Sequence, residues 1–96
     1  MAFVNQNPRQ FVREAIEDLM SGQMGVYGIF RHDRWIYVGK GDIRSRLLAH
    51  LNGDNALILL QGPTHFVTEL WSDPHMSSRE KELILECLPM CNQKVG

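Results

Sequence analysis

The sequence predicts one small α+β domain built on a three-stranded, mainly antiparallel sheet flanked by helices. Three observations carry this reading. A run of β-branched and aromatic residues doubles back around a polar turn, a second such run begins near Thr64, and stretches with helical apolar spacing lie beside them. At 96 residues, 44% hydrophobic and 22% charged, the chain has material for one core.

Asn7 followed by Pro8 has the form of an N-cap with proline at the first helical position. Phe11, Val12, Ala15, Ile16, Leu19 and Met20 then recur with helical period, predicting a helix from Pro8 to Met20, closed at Ser21-Gly22. From Gly25 the pattern changes. Gly25 to Phe30 and Trp35 to Val38 are strand-like and enclose the polar turn His32-Asp33, which predicts a hairpin. Gly39-Lys40-Gly41 reads as a loop leading to Asp42, the expected N-cap of a helix from Ile43 to Asn52 with Leu47, Leu48 and Leu51 on one face. The segment Asn55 to Leu60 is uniformly apolar, so periodicity leaves a buried helical turn and a strand both open, with a short helix favoured. Gly62-Pro63 breaks the chain before a third strand, Thr64 to Trp71. Ser77-Ser78-Arg79-Glu80 has the form of a capping box, opening a last helix whose stripe is Leu83, Ile84, Cys87 and Leu88 and which Pro89 stops.

Net charge is -1 with a pI near 6.4, so the molecule as a whole lacks the basic surplus of a non-specific nucleic-acid binder. Any anion site must be local. Between Arg31 and Arg46 five basic residues (Arg31, Arg34, Lys40, Arg44 and Arg46) stand against Asp33 and Asp42, a local balance of +3 that leaves -4 for the rest. The longest apolar run, Ala56 to Leu60, falls far short of the roughly 20 residues of a membrane helix, and the expectation is a soluble cytoplasmic protein without membrane contact. Cys87 and Cys91 read as reduced, partly buried thiols. With His65 and His75 they offer no paired spacing suited to zinc.

Four further features point to chemistry. The Gly-bracketed Lys40 precedes a helix N-terminus, an arrangement that suits a phosphate but equally describes a glycine-rich turn with solvated charge. Arg46 and His50 are four apart and so share a helix face, where they form a phosphodiester clamp or are merely solvated. Tyr27 and Tyr37, one on each hairpin strand, can meet on one sheet face, although strand tyrosines are commonly packing residues. Glu80 has a structural explanation in its capping box.

The ordered series Gly25-Val26-Tyr27, Tyr37-Val38-Gly39, Arg46-x-x-x-His50 and Arg79-Glu80, followed by Ile84, Pro89 and Asn92, resembles the GIY-YIG nuclease family over most of the chain. Val26 and Val38 stand where the name-giving isoleucines do. The tyrosines are about one residue closer than in the family's pattern, which implies a shortened turn at His32-Asp33. The resemblance implies a divalent-metal-dependent DNA endonuclease, with residues 24–96 as its nuclease domain and 1–23 as an N-terminal helical extension. It implies Glu80 as the single carboxylate ligand of Mg²⁺ or Mn²⁺, water and phosphate completing the shell. Tyr27 would be the general base, Tyr37 would position water or phosphate, Arg46 would stabilise developing charge, and His50 would handle protons or orient Tyr27. Gly39, Lys40, Arg44 and Asn92 fall on the substrate side, Asn92 as a brace more than a contact. A phenol with a pKa near 10 is a poor base at neutral pH, so a cation such as Lys40 or the metal must assist it. Self-association as a homodimer, or a separate DNA-binding partner, would supply further DNA contacts. The alternative is a catalytically inactive module of the same scaffold that binds nucleic acid or a partner protein.

Overall fold

The computed structural model of the chain describes residues 3–4 and 7–92. Its elements are β1 (Arg9–Gln10), α1 (Arg13–Glu17), β2 (Met24–Arg31), β3 (Arg34–Asp42), α2 (Ile43–Leu51), α3 (Ala56–Leu60), β4 (His65–Leu70) and α4 (His75–Cys87). The sheet has four strands in the order β1-β4-β2-β3, each neighbouring pair antiparallel. The α+β class and the antiparallel sheet follow the sequence reading, with one strand more than predicted.

That strand corrects the expected helix from Pro8 to Met20. Arg9 and Gln10 pair with Phe66 and His65 of β4, and the Phe11 amide donates to the Thr64 carbonyl at 2.9 Å, leaving only Arg13–Glu17 helical. Pairing an open strand edge satisfies backbone groups, and helix propensity, a few tenths of a kcal/mol per residue, does not outweigh it. The segment ahead of β2 also supplies Phe3, Phe11 and Ile16 to the core.

The two sheet faces bury separate clusters. On one, Tyr27, Ile29, Ile36 and Phe66 pack under Ile16 of α1, Ile43 and Leu47 of α2 and Ile58 of α3. On the other, Val26, Val38 and Val67 pack under Met76 and Leu83 of α4, with Phe3 beside them. Among the described residues no helix is long and apolar enough to cross a membrane.

The hairpin turns on His32-Asp33 alone, Arg31 pairing with Arg34 and His32 taking a φ of 55°. Phe30 opposes Trp35 but Ile29 opposes Tyr37, so Ile36 is an extra residue, a β-bulge. Both strands run further than predicted. Lys40, Gly41 and Asp42 oppose Val26, Gly25 and Met24, so Gly39-Lys40-Gly41 is strand rather than a phosphate-cradling loop. Beyond α4 the Met90 and Cys91 amides donate to the carbonyls of Trp35 and Ile36 on the outer edge of β3.

Candidate active site

The bulge decides where the tyrosines stand. Without it, counting back from the turn would pair Tyr27 with Val38 and put Tyr37 on the opposite face. With it, Tyr27 opposes Gly39 and Tyr37 sits diagonally across on the same face, ring centroids 6.3 Å apart. Gly39 is required by this contact. A Cβ there would fall 2.6 Å from Tyr27 Cζ, 2.8 Å from Tyr37 Cε2 and closer still to the Tyr27 hydroxyl.

Helix α2 brings His50 onto the pair. Its ring lies 5.5 Å from Tyr27 and 5.0 Å, edge-on, from Tyr37, and Nε2 is 2.7 Å from the Tyr27 hydroxyl. Tyr27 is 0% and His50 1% exposed, so the solvated-helix-face reading of His50 is corrected. It joins the core because a polar partner waits there. Arg46, one turn earlier, pairs with Asp54 at 3.6 Å, its side chain 43% exposed, and its charge acts on the Tyr27 phenol. Asp54 also meets His50 Nδ1 at 2.8 Å. Tyr27, His50, Asp54 and Arg46 form one connected network.

Its electrostatics follow from burial. Desolvation and the Tyr37 phenol push the Tyr27 hydroxyl well above its ordinary pKa, against the pull of Arg46. Burial also raises Tyr37, again opposed by Arg46. Burial lowers His50, with Asp54 pulling the other way, so its imidazole is neutral near pH 7. The cation serving both phenols is Arg46. The Lys40 side chain turns to the other face, where its Nζ donates to Ser77 Oγ at 2.7 Å.

Glu80 sits on α4 without the structural role expected of it. The helix opens at His75, two residues ahead of the predicted box, and Asp73 Oδ1 accepts from the Ser77 amide at 3.1 Å and its hydroxyl at 2.7 Å. The Ser77–Glu80 capping box does not form. Glu80 is half-buried, and no hydrogen bond or ion pair reaches it from the described residues. Burial raises its carboxyl pKa while Lys40 and Lys81 oppose, and its charge in turn acts on Tyr37. The half-buried phenol of the pair, Tyr37, is therefore acted on by the charges of both Arg46 and Glu80, with opposite signs.

The remaining predicted positions divide. Asn92 clamps the edge of β3, accepting from the Val38 amide at 2.7 Å and donating to its carbonyl at 2.8 Å. Arg44 is half-exposed on α2. Among the described residues no three or more His, Cys, Asp or Glu side chains gather into a metal-binding group. Cys87 and Cys91 are free thiols, burial pushing Cys87 up to about 11.

Two arrangements escaped the sequence reading. Asp54 is one; its signal was a carboxylate four residues beyond His50, just past a glycine that stops the helix. The other is Glu69, 8% exposed, which accepts from both Arg79 Nε (2.9 Å) and Nη2 (3.0 Å), Trp71 Nε1 (2.8 Å) and the Val4 amide (2.7 Å). Arg79 also pairs with Glu82. This pair fastens β4, α4 and the N-terminal segment together, and every acceptor lone pair of Glu69 has structural employment.

No family model matches the sequence, and no curated protein or solved structure matches it significantly.

Proposed function

We propose that the protein is a divalent-metal-dependent endonuclease of the GIY-YIG type that hydrolyses DNA phosphodiester bonds. The observation that carries this reading is the convergence of Tyr27, Tyr37, Arg46 and His50 on one patch of the hairpin; Glu80, to which no described residue donates, acts on Tyr37 by its charge.

Glu80 is half-buried and no described residue donates to it, so its oxygens are open to a ligand, and an Mg²⁺ ion that keeps most of its waters fits a one-carboxylate site. Glu80 would hold the ion, which when bound would polarise the phosphate and neutralise charge on the leaving oxygen. Arg46 supplies a guanidinium fork for the phosphate oxygens, exchanging its contact with Asp54 for the substrate. Tyr27 then takes a proton from the attacking water while passing its own to His50, so no free phenolate is needed. Tyr37, half-exposed beside it, positions the water or phosphate, and Arg44 extends the basic surface along the DNA backbone.

A second reading draws on the complete burial of Tyr27 and His50: a module that binds nucleic acid or a partner protein without cutting, its tyrosine–histidine contact being structural. Nicking of supercoiled plasmid with Mg²⁺ or Mn²⁺ separates the two. Cutting by the wild type that is lost in Glu80→Ala and Tyr27→Phe establishes the nuclease. A fully active Glu80→Ala protein would refute the assignment of the metal ligand, and a folded wild type that cuts no DNA form offered would favour the binding module.

A further inference from the structure

We propose that Asp54 is a positioning residue that fixes His50 in the Nδ1-protonated tautomer and so makes Nε2 the acceptor of the Tyr27 proton. The catalytic consequence rests on the nuclease reading; the tautomer does not.

The backbone puts Asp54 there. Helix α2 ends at Leu51, Asn52 caps it, and Gly53 takes a φ of 88°. The Gly53 amide donates to the His50 carbonyl and the Asp54 amide to the Ala49 carbonyl, both at 3.1 Å. These are the two bonds of a Schellman closure with Gly53 at its left-handed position. The closure turns the chain back on the helix, and the residue after the glycine comes to lie over the last turn. In most such closures an apolar contact forms at this point. Here it is a carboxylate oxygen, 2.8 Å from His50 Nδ1.

Donor and acceptor chemistry then assigns the protons. A carboxylate only accepts, so Nδ1 must carry the hydrogen. A neutral imidazole has one N–H, so Nε2 is an acceptor, and among the described residues the hydrogen within its reach is that of the Tyr27 hydroxyl at 2.7 Å. Each hydrogen in the network has one owner, and the chain Asp54–His50–Tyr27 runs from the half-exposed carboxylate, 35% open, to the fully buried phenol.

The charged and titratable groups facing His50 are Tyr27 from β2, Tyr37 from β3, Arg46 on its own helix, and Asp54. Of these only Asp54 favours a proton on the imidazole. As the O–H bond of Tyr27 breaks and the Nε2–H bond forms, Tyr27 Oη gains a proton from the water whose oxygen attacks phosphorus. The leaving oxygen is protonated by solvent, and the imidazolium returns its proton to solvent afterwards. Asp54 stabilises that imidazolium, as carboxylates do in acyl-transfer triads.

The test uses the intact protein labelled with ¹⁵N. Imidazole correlation spectra, with His50 identified by its loss in His50→Gln, report tautomer and titration midpoint without reference to DNA. The expected spectrum shows Nδ1–H in the wild type. Asp54→Asn should lower the midpoint and shift tautomer population toward Nε2–H, and Asp54→Glu should restore the wild-type pattern in part. In the nicking assay, Asp54→Asn should lower kcat at least about tenfold with KM little changed, and move the acid limb of the pH profile downward. An Nε2–H tautomer in the wild type, or a tautomer and midpoint unmoved in a folded Asp54→Asn protein, overturns the proposal. If the wild type proves unable to nick DNA, the spectra still decide the role of Asp54, and the nuclease reading alone falls.

Discussion

Replacing Gly39 by alanine isolates the closest approach in the candidate site. The new Cβ would lie 2.6 Å from Tyr27 Cζ and 2.8 Å from Tyr37 Cε2, against the ~3.5–4.0 Å of an unstrained carbon–carbon contact, an overlap of about 1 Å with each ring. Tyr27 has no room to retreat, being fully buried with its hydroxyl on His50. Overpacking of this kind costs about 1–3 kcal/mol, and breaking the Tyr27–His50 contact leaves buried polar groups unsatisfied at about another 1–3 kcal/mol. For a domain of this size each kcal/mol lowers Tm by roughly 4–8 °C, so a fall of at least about 8 °C is expected by calorimetry. Nicking should be lost even at temperatures where the variant is folded, because the two phenols can no longer share one face with His50. A Gly39→Ala protein that melts within about 2 °C of wild type and retains its activity would show that the two tyrosines and Gly39 are not packed as described.

Three further outcomes follow from the same geometry. Glu80→Gln should raise the Tm of the metal-free protein, since it removes an unpartnered half-buried charge, while abolishing the Mg²⁺-dependent gain, which at ten times Kd amounts to about 1.4 kcal/mol in wild type; equal metal-induced shifts in both proteins would remove Glu80 from the site. Arg79→Ala should destabilise by about 3–5 kcal/mol in urea titrations by leaving Glu69 buried and unpaired. Burial alone would raise the Glu69 pKa, but the bonds from Arg79, Trp71 and Val4 outweigh it and hold it below the ordinary value, so this stability is complete above the unfolded carboxylate pKa near 4.3 and is lost as pH falls through the lower folded value. A Glu69→Gln protein with undiminished acid dependence would contradict that source. His32→Gly should stabilise the hairpin by up to about 1 kcal/mol, the relief of a left-handed φ of 55° exceeding the entropy cost of glycine; a lower Tm would mean that the His32 side chain is itself in use.

How far the sequence carried can be argued residue by residue. The hairpin, α2, β4 and the stop at Pro89 were legible because each combines local periodicity with a matching breaker, whereas the uniformly apolar α3 has no period to read. The N-terminal helix failed where a distant partner intervened: Arg9 and Gln10 have helix-compatible spacing, but the free edge of β4, more than fifty residues on, offers them hydrogen bonds. The capping box failed for a nearer reason. Asp73 reaches Ser77 first and α4 starts early, which leaves Glu80 outside a capping box and, among the described residues, without a hydrogen-bond partner. The site residues Tyr27, Tyr37, Arg46 and His50 were legible by type and order, and the structure brings them together. Asp54 and the Glu69–Arg79 pair were not, because their partners are fixed by tertiary geometry.

The contacts that assemble the candidate site depend on departures from regular structure. A strictly regular hairpin closed at His32-Asp33 would send Tyr37 to the α4 face, and the single extra residue Ile36 returns it to the face of Tyr27. A straight continuation of α2 would carry Asp54 onward along the helix, and the left-handed turn at Gly53 folds it back onto His50. A conventional start to α4 would occupy Glu80 with backbone amides, and the earlier start frees it. Regular periodicity here builds the two hydrophobic layers, which are indifferent to which polar groups meet. One bulge and one Schellman closure are what bring two phenols, an imidazole, a guanidinium and the Asp54 carboxylate together on one face of the hairpin, and the displaced helix start leaves the Glu80 carboxylate outside a capping box.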